Sequence, residues 1–200
     1  MSPPLGRVGM FGGAFDPPHI AHRALAEAAL RQLQLDRLYV FPTGEAWHKE
    51  RRLGPAEHRL AMARLAFEGL PGVVVDDREL RRAGPTYSID TLRELRAAHP
   101  QAELVLLMGE DQAAGFTRWR AWDAIADLAR LAVARRGDAA GLEALQALPG
   151  VRVAGLQLPA MDVSATDIRA RLTAGQDTSE LVDPRVAGYI ADHSLYIPTR

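Results

Sequence analysis

The stretch GGAFDPPHIAH occupies residues 12–22 and follows directly on the apolar run LGRVGMF of residues 5–11. The run is typical of a short buried strand. It ends in two glycines, where the backbone can approach a ligand because no Cβ is in the way. His19 and His22 stand three residues apart at the start of the following helix, so they project from one helix face. A helix N-terminus also attracts anions, and the stretch therefore predicts a polyphosphate site with two imidazoles directed at it.

Apolar runs like this one alternate with segments of helical period along most of the chain. Continuously apolar strands separated by amphipathic helices are typical of a parallel sheet covered on both faces. We therefore predict an α/β fold with a Rossmann-like, doubly wound parallel sheet, which binds ligands at the carboxyl ends of its strands where the strand order reverses. The predicted strands are residues 7–11, 37–41, 73–75, 104–108, 131–134 and 151–154, and the predicted helices are 20–33, 55–67, 89–99, 122–128 and 139–148.

Beyond about residue 163 the pattern becomes helical only. Ser164 and Asp167 have the spacing of a capping box, and Gly175 is a typical helix stop. Asp183 and Pro184 predict the start of a second helix, with Asp as N-cap and Pro at the first helical position. We interpret residues 1–200 as a single domain in which residues 163–200 form a small helical C-terminal subdomain.

Bulk composition excludes several classes of protein. The chain has 200 residues, 48% of them hydrophobic, a formal net charge of −1 and no cysteine. A charge so close to zero argues against binding to nucleic acid or to a membrane surface. The lack of cysteine excludes disulfides and thiolate metal sites and is compatible with a reducing compartment, so we expect a cytoplasmic protein without a signal peptide or membrane span. A homo-oligomer is compatible with this composition.

The stretch at residues 12–22 resembles the signature of the nucleotidyltransferases that carry a His-x-Gly-His motif. Its form with Gly-Gly-x-Phe-Asp-Pro-x-His is similar to the nicotinate-mononucleotide adenylyltransferases, although Ala21 stands where that family usually has glycine. The resemblance extends over almost the whole chain. It implies that this stretch holds ATP through Gly12, Gly13, Phe15, His19 and His22.

Two further segments resemble parts of the same family's ATP site. Residues 163–169, VSATDIR, are similar to its second signature, in which Ser164, Thr166 and Arg169 would hold phosphate oxygens. Taken alone, this segment is an ordinary helix cap. Gly109 and Asp111 resemble a Gly-x-Asp turn whose carboxylate would bind the ribose hydroxyls of ATP. Arg135, at the end of the fifth strand, matches an arginine near the ATP phosphates.

The loop after the second strand contains the only lysine of the chain, Lys49. The family usually shows a leading proline, a gap and then Pro-Pro-His-Lys or Pro-Pro-His-Arg. Here Pro42 and the pair His48 and Lys49 keep that spacing, but Ala46 and Trp47 replace the two prolines. The resemblance implies that His48 contacts the substrate and that Lys49 faces phosphate. A solvated basic loop is an equal alternative, since two arginines follow.

The acceptor site is implied by two more segments. Residues 84–92, GPTYSIDTL, resemble a segment specific to the mononucleotide adenylyltransferases, in which Ser88 would help to hold the pyridine carboxylate. Thr86 and Tyr87 precede it. Ser88 could instead cap the helix, and both roles could hold at once. Trp119 has the family's spacing for an aromatic side chain that stacks on the pyridine ring, and Arg120 stands where tyrosine is usual.

The resemblance implies adenylyl transfer from ATP to nicotinate mononucleotide, which yields deamido-NAD and pyrophosphate in NAD biosynthesis. The acceptor phosphate would attack the α-phosphorus directly, without a covalent intermediate, and His19, His22, Lys49 and Arg169 would act on the phosphates. Mg²⁺ is expected to arrive with ATP rather than in a dedicated cage of protein ligands. Two alternatives remain: a transferase of the same fold acting on phosphopantetheine or using a cytidylyl donor, and a nucleotide sensor without turnover.

Overall fold

A single parallel β-sheet forms the centre of the protein. The computed structural model describes residues 5–44, 53–135 and 140–197. Within these residues the sheet has six strands in the order β3-β2-β1-β4-β5-β6. All five pairings between neighbours are parallel, which confirms the predicted Rossmann-like fold. The strands are β1 (Arg7–Gly13), β2 (Arg37–Pro42), β3 (Val73–Val75), β4 (Glu103–Gly109), β5 (Ala129–Arg135) and β6 (Val153–Gln157).

Helices connect these strands and follow β6. The predicted helices are found within one or two residues of their expected bounds, whereas α3, α5 and a 3₁₀ turn at Phe116–Arg118 were not predicted. These three have five residues or fewer, too short to display a helical period. The helices are α1 (Ile20–Gln32), α2 (Ala56–Phe67), α3 (Arg78–Arg81), α4 (Ser88–Ala98), α5 (Glu110–Ala114), α6 (Trp122–Leu128), α7 (Ala140–Gln146), α8 (Ala165–Thr173) and α9 (Pro184–Asp192).

The sheet separates two hydrophobic cores, because successive side chains of a strand point to opposite faces. In β4, Leu104 and Leu106 pack into the core formed with α4, α6 and α7. Val105 and Leu107 pack into the other core, which is formed with α1, α2, α8 and α9. β4 is therefore apolar on both faces, as the sequence pattern predicts.

The sixth strand was predicted two residues too early. Gly150 has a φ of +75°, and the amide of Val151 donates to the carbonyl of Leu148, so Val151 still belongs to the turn. The ladder with β5 begins where the amide of Leu131 donates to the carbonyl of Arg152 over 2.8 Å. An apolar run in the sequence indicates that a strand is present. The first residue of that strand depends on the turn that precedes the run.

The two predicted helix starts beyond residue 163 are confirmed. Ser164 caps α8 by accepting the amide of Asp167 at 3.0 Å, and Asp183 caps α9 by accepting the amide of Arg185 at 2.9 Å. The helices pack onto the sheet through the core that also contains α1 and α2. Among the described residues, no helix is long and apolar enough to cross a membrane.

Strand order reverses between β1 and β4. From this pair the chain winds outward through β2 and β3 on one side and through β5 and β6 on the other. Phe11 of β1 lies opposite Leu107 of β4, so the carboxyl ends of the two strands are close together. Gly13 and Gly109 end these strands, which brings both glycine-containing segments to the position where such folds bind ligands.

Candidate active site

A cavity of about 850 Å³ opens at the carboxyl ends of β1 and β4. Segments far apart in sequence line it: the β1–α1 loop, the start of α5 and the start of α8. It therefore brings together most of the residues that the sequence assigns to ATP. These are Gly12, Gly13, Phe15, His19, His22, Gly109, Asp111, Thr166 and Arg169.

The two histidines form a hydrogen-bonded and stacked pair. His19 is the N-cap of α1, with extended backbone (φ −139°), and its amide donates to Nδ1 of His22 at 3.1 Å. Their ring centroids are 3.7 Å apart. A ring nitrogen that accepts a hydrogen bond carries no proton, so the neutral His22 ring is protonated at Nε2 and can donate from that atom. The prediction that both imidazoles serve phosphate oxygens stays a prediction, and this geometry leaves Nε2 of His22 as the donor it requires.

Aromatic packing fixes the loop that precedes these histidines. Phe15 has a φ of +49°, a conformation that a bulky residue adopts only when its surroundings hold it. Its buried ring packs edge-on against Phe11 at 5.5 Å and Phe67 at 5.7 Å between centroids. A Cβ added to Gly13 would stand 2.9 Å from the Phe15 ring, whereas one added to Gly12 would meet nothing within 4 Å. Gly13 is thus required by the protein's own packing, while the position of Gly12 leaves space beside the backbone.

The second signature is joined to the first through Arg169. Its Nη1 donates to the carbonyl of Asp16 at 2.7 Å, and its Nη2 donates to Oγ1 of Thr166 at 3.1 Å. Ser164 is occupied in capping α8. The start of α8 is therefore held against the β1–α1 loop, with Thr166 and Arg169 on the cavity wall.

The segment Gly109 to Asp111 is a helix start rather than the predicted turn. α5 begins at Glu110, whose Oε1 accepts the amides of Gly141 and Leu142 at 2.8 and 3.0 Å. The Gln112 side chain accepts the amide of Gly109 at 3.2 Å. The short helix forms because these side chains satisfy amides at its own start and at that of α7. Asp111 stays exposed on the cavity wall.

The predicted acceptor residues form a separate group around the start of α4. The Arg120 guanidinium lies 4.5 Å from the centroid of the Tyr87 ring, and Trp119 packs against Phe116 with centroids 5.8 Å apart. Tyr87, not Ser88, is the N-cap of α4, so the capping alternative for Ser88 is wrong. None of Thr86, Tyr87, Ser88, Trp119 and Arg120 is among the residues that line the cavity.

Backbone contacts connect this group to the β1 edge. The amide of Thr43 donates to the carbonyl of Gly13 at 2.8 Å. A Cβ on Gly44 would stand 2.9 Å from Oγ1 of Thr86. The backbone after β2 therefore runs between the cavity at β1 and the acceptor residues at the start of α4. The Thr86 hydroxyl is buried and has no hydrogen-bond partner within the described part of the chain. A buried hydroxyl of this kind is a candidate to bind a ligand.

Three predicted residues are not assessed by the structure. His48 and Lys49 lie outside the described residues, and Arg135 ends β5 but its side chain is not described. One important residue was not singled out from the sequence. Asp16 is 1% exposed and lines the cavity, and only its place within the quoted stretch could have drawn attention to it.

The sequence of the chain is similar to a known family and to named proteins over almost its whole length. A family model described as cytidylyltransferase-like matches residues 10–171. The chain is 55% identical, over 195 residues, to a protein of Albidiferax ferrireducens named probable nicotinate-nucleotide adenylyltransferase, with 96% of this chain and 98% of that one covered. It is 45% identical over 197 residues to a Bordetella petrii protein of the same name, covering 96% of this chain and all (100%) of that one.

Solved structures show the same fold at low sequence identity. The nicotinic acid mononucleotide adenylyltransferase of Plasmodium falciparum, solved in complex with NaAD, has a TM-score of 0.77 at 18% identity, covering 96% of this chain and 97% of that one. A Vibrio parahaemolyticus structure described as a nicotinate-nucleotide adenylyltransferase has a TM-score of 0.72 at 19% identity, covering 97% of each chain.

Proposed function

The chain belongs to the nicotinate-nucleotide adenylyltransferases of the cytidylyltransferase-like family, and we propose that it transfers the adenylyl group of ATP to nicotinate mononucleotide. The products are deamido-NAD and pyrophosphate, so the reaction is a step of NAD biosynthesis. The observation that carries this proposal is the joining of both signature segments on one cavity wall, where Arg169 of the second contacts the carbonyl of Asp16 in the first.

Catalysis by this site is a matter of position and charge. The acceptor's 5′-phosphate is already an anion near neutral pH, so its oxygen attacks the α-phosphorus of ATP without a general base. The bond from that phosphorus to the bridging oxygen breaks, and pyrophosphate leaves with the electron pair. Donors placed where negative charge develops lower the barrier to such a transfer.

The residues of the cavity divide this work. We assign His22, through Nε2, and His19 to the oxygens of the α-phosphate. Arg169, together with Lys49, is assigned to the departing pyrophosphate, since a guanidinium fork suits phosphate oxygens. Asp111, in the first turn of α5 just after β4, is assigned to the ribose hydroxyls of ATP, as acidic residues near strand ends serve in related folds.

Mg²⁺ is proposed to enter with ATP. Within residues 5–44, 53–135 and 140–197, no cluster of three His, Asp or Glu side chains could hold a metal ion. A magnesium ion held by phosphate oxygens and water needs no such cluster. When bound, it neutralises charge on the phosphates, and no residue of this chain is assigned to it.

The acceptor is proposed to bind at the start of α4. Trp119 would stack on the pyridine ring, and Ser88 with the neighbouring backbone would donate to the pyridine carboxylate. Arg120 already lies over Tyr87 and would add a positive charge. Thr86 is a further donor, because its buried hydroxyl lacks a partner in the described residues. His48 is assigned to this subsite from the family resemblance.

A panel of donors and acceptors tests the proposal. The enzyme is incubated with Mg²⁺ and either ATP or CTP, and with nicotinate mononucleotide, its amide or phosphopantetheine, while pyrophosphate release is measured. We expect the fastest release with ATP and nicotinate mononucleotide and no release from ATP alone. The variant His19→Ala/His22→Ala, purified identically, controls for contaminating enzymes. Equal or faster turnover with phosphopantetheine or CTP would overturn the assignment, and absence of release with every pair would favour a sensor.

A further inference from the structure

The buried carboxylate of Asp16 is held by groups from two distant parts of the chain. The hydroxyl of Tyr196 donates to Oδ1 at 2.7 Å, and the amide of Gly54 donates to Oδ2 at 3.2 Å. Asp16 itself is 1% exposed. A carboxylate removed from water is costly unless hydrogen bonds and opposite charge replace the lost hydration. Tyr196 therefore supplies one of the bonds that keep Asp16 in place.

Two arginines hold the backbone of the same loop. Arg59 of α2 is 3% exposed, and it donates to the carbonyl of Ala14 at 2.9 Å and to that of Gly54 at 2.9 Å. Arg169 of α8 donates to the carbonyl of Asp16 at 2.7 Å. Burial lowers the pKa of Arg59, and the charge of Asp16 acts in the opposite direction. The carboxylate and the buried guanidinium thus support each other.

Tyr196 is fixed from its own side as well. Its φ is +65°, a conformation that costs energy for a residue with a side chain. Its carbonyl accepts the hydroxyl of Thr173, the last residue of α8, at 3.0 Å. The amide of its neighbour Leu195 donates to the carbonyl of Ile190 at 3.0 Å. The segment after α9 is therefore folded so that the Tyr196 hydroxyl reaches the β1–α1 loop.

From these contacts we propose that Tyr196 is a positioning residue for catalysis. It does not line the large cavity; it acts through Asp16 on the loop that presents His19. Asp16 is three residues before His19, whose amide in turn bonds to the ring of His22. A change at the carboxylate is thereby passed along a short, tightly bonded segment to both imidazoles. The proposal rests on the proposed function for what the imidazoles do.

Removal of this one hydroxyl should affect the rate more than the binding of substrates. Small displacements of preorganised groups reduce the rate by up to about 100-fold. For Tyr196→Phe, which retains the ring, we expect a fall in kcat of about ten-fold. The KM values for ATP and acceptor should change by less than about three-fold, because the groups that bind both substrates in the ground state are retained.

Tyr189→Phe is the matched control. Tyr189 lies on α9, and its hydroxyl makes a part-buried hydrogen bond to Nδ1 of His58 at 2.9 Å, a residue of α2 rather than of the β1–α1 loop. Each variant loses one tyrosine hydroxyl from the same region. Tyr189→Phe should keep the wild-type kcat, and the two variants should have similar thermal midpoints.

A second readout does not depend on turnover. The imidazole resonances of His19 and His22, recorded by ¹⁵N NMR on the full chain, should shift in Tyr196→Phe and stay unchanged in Tyr189→Phe. Adenylyl transfer by the wild-type protein is measured in the same series. If the proposed function is wrong, this activity is absent, and the NMR shifts still test whether Tyr196 positions the two imidazoles. A kcat for Tyr196→Phe within about two-fold of wild type, equal losses in both variants, or unshifted imidazole resonances would overturn the proposal.

Discussion

The ring of His22 is held by the backbone amide of His19, which donates to Nδ1 and leaves Nε2 as the donor. His22→Asn retains an acceptor near the Nδ1 position and removes the donor at Nε2. We expect kcat to fall by about 100-fold or more, as for loss of one preorganised donor to developing charge. His19→Ala should lose a similar factor.

Steady-state rates and ATP titrations on these variants check the prediction, with His193→Ala as a control because that exposed histidine stacks on Tyr189, away from the cavity. ATP affinity should weaken less than kcat falls. A near-normal kcat in His22→Asn would show that its imidazole does not contact the transition state.

We also expect single residues to decide the selectivity for the acid over the amide of the pyridine nucleotide. Hydrogen-bond donors directed at a carboxylate would leave the NH₂ group of the amide facing another donor. The amide would then lose roughly 1–3 kcal/mol of binding free energy, which lowers its kcat/KM by about ten- to a hundred-fold relative to the acid. Ser88→Ala should lower the ratio of kcat/KM for the acid to kcat/KM for the amide. Trp119→Ala should lower kcat/KM for both acceptors by the same factor. The measurement is kcat/KM for both mononucleotides. A wild-type preference for the amide, or an unaltered ratio in Ser88→Ala, would contradict this account.

Lys49 offers a test that separates the two interpretations of its loop. If it faces phosphate, Lys49→Ala should lower kcat/KM by about ten-fold, equivalent to about 1.4 kcal/mol of transition-state binding. The thermal midpoint should hardly change if Lys49 acts on phosphate rather than in the packing of the protein. Arg51→Ala, two residues further along, is the control. Equal effects of the two substitutions would favour a solvated basic loop.

At the scale of elements, α3 is fastened to α4 by a buried carboxyl group. Glu79 of α3 is 2% exposed, and its Oε1 accepts the hydroxyl of Thr91 on α4 at 2.7 Å. Burial raises the pKa of Glu79 to about 7, against the opposing effects of the Thr91 hydrogen bond and the charge of Arg82. The folded protein thus retains a proton that the unfolded chain releases above about pH 4.5.

Stability should consequently fall as the pH rises. The contribution of Glu79 is fully present below the unfolded pKa of 4.5 and is lost as the pH passes the folded value of about 7, a change of about 3 kcal/mol. Glu79→Gln keeps an acceptor oxygen for Thr91 and has no proton to lose. The free energy of unfolding is measured in urea at about pH 5 and about pH 8 for wild type and Glu79→Gln. Between these pH values, wild type should lose about 3 kcal/mol more than Glu79→Gln. Parallel losses in both proteins would contradict the prediction.

The elements also show what the sequence could and could not predict. Apolar runs identified all six described strands, and the signal is unbroken in central strands such as β4, which is buried on both faces. The start of α5 was mistaken for a turn, because it depends on Glu110 bonding to amides about thirty residues away. Asp16 and Arg59 escaped notice for the same reason: their roles arise from partners that only the tertiary structure supplies.

At the scale of the whole molecule, the fold explains why distant segments form one site. The order β3-β2-β1-β4-β5-β6 places the reversal beside β1, so the glycines of β1 and β4 meet there. The packing of α8 and α9 into the core shared with α1 then brings Arg169 to the same edge. The two signatures were predictable from the sequence, whereas their connection through Asp16 required the fold.

The central claim is transfer of the adenylyl group itself, and the fate of an isotope tests it most directly. ATP labelled at its α-phosphorus is incubated with the enzyme, Mg²⁺ and nicotinate mononucleotide, and the products are separated and counted. We predict that the label appears in the dinucleotide, deamido-NAD, in amounts equal to the pyrophosphate released. Label that remains in AMP or ADP, or acceptor that gains phosphate without label, would contradict the claim.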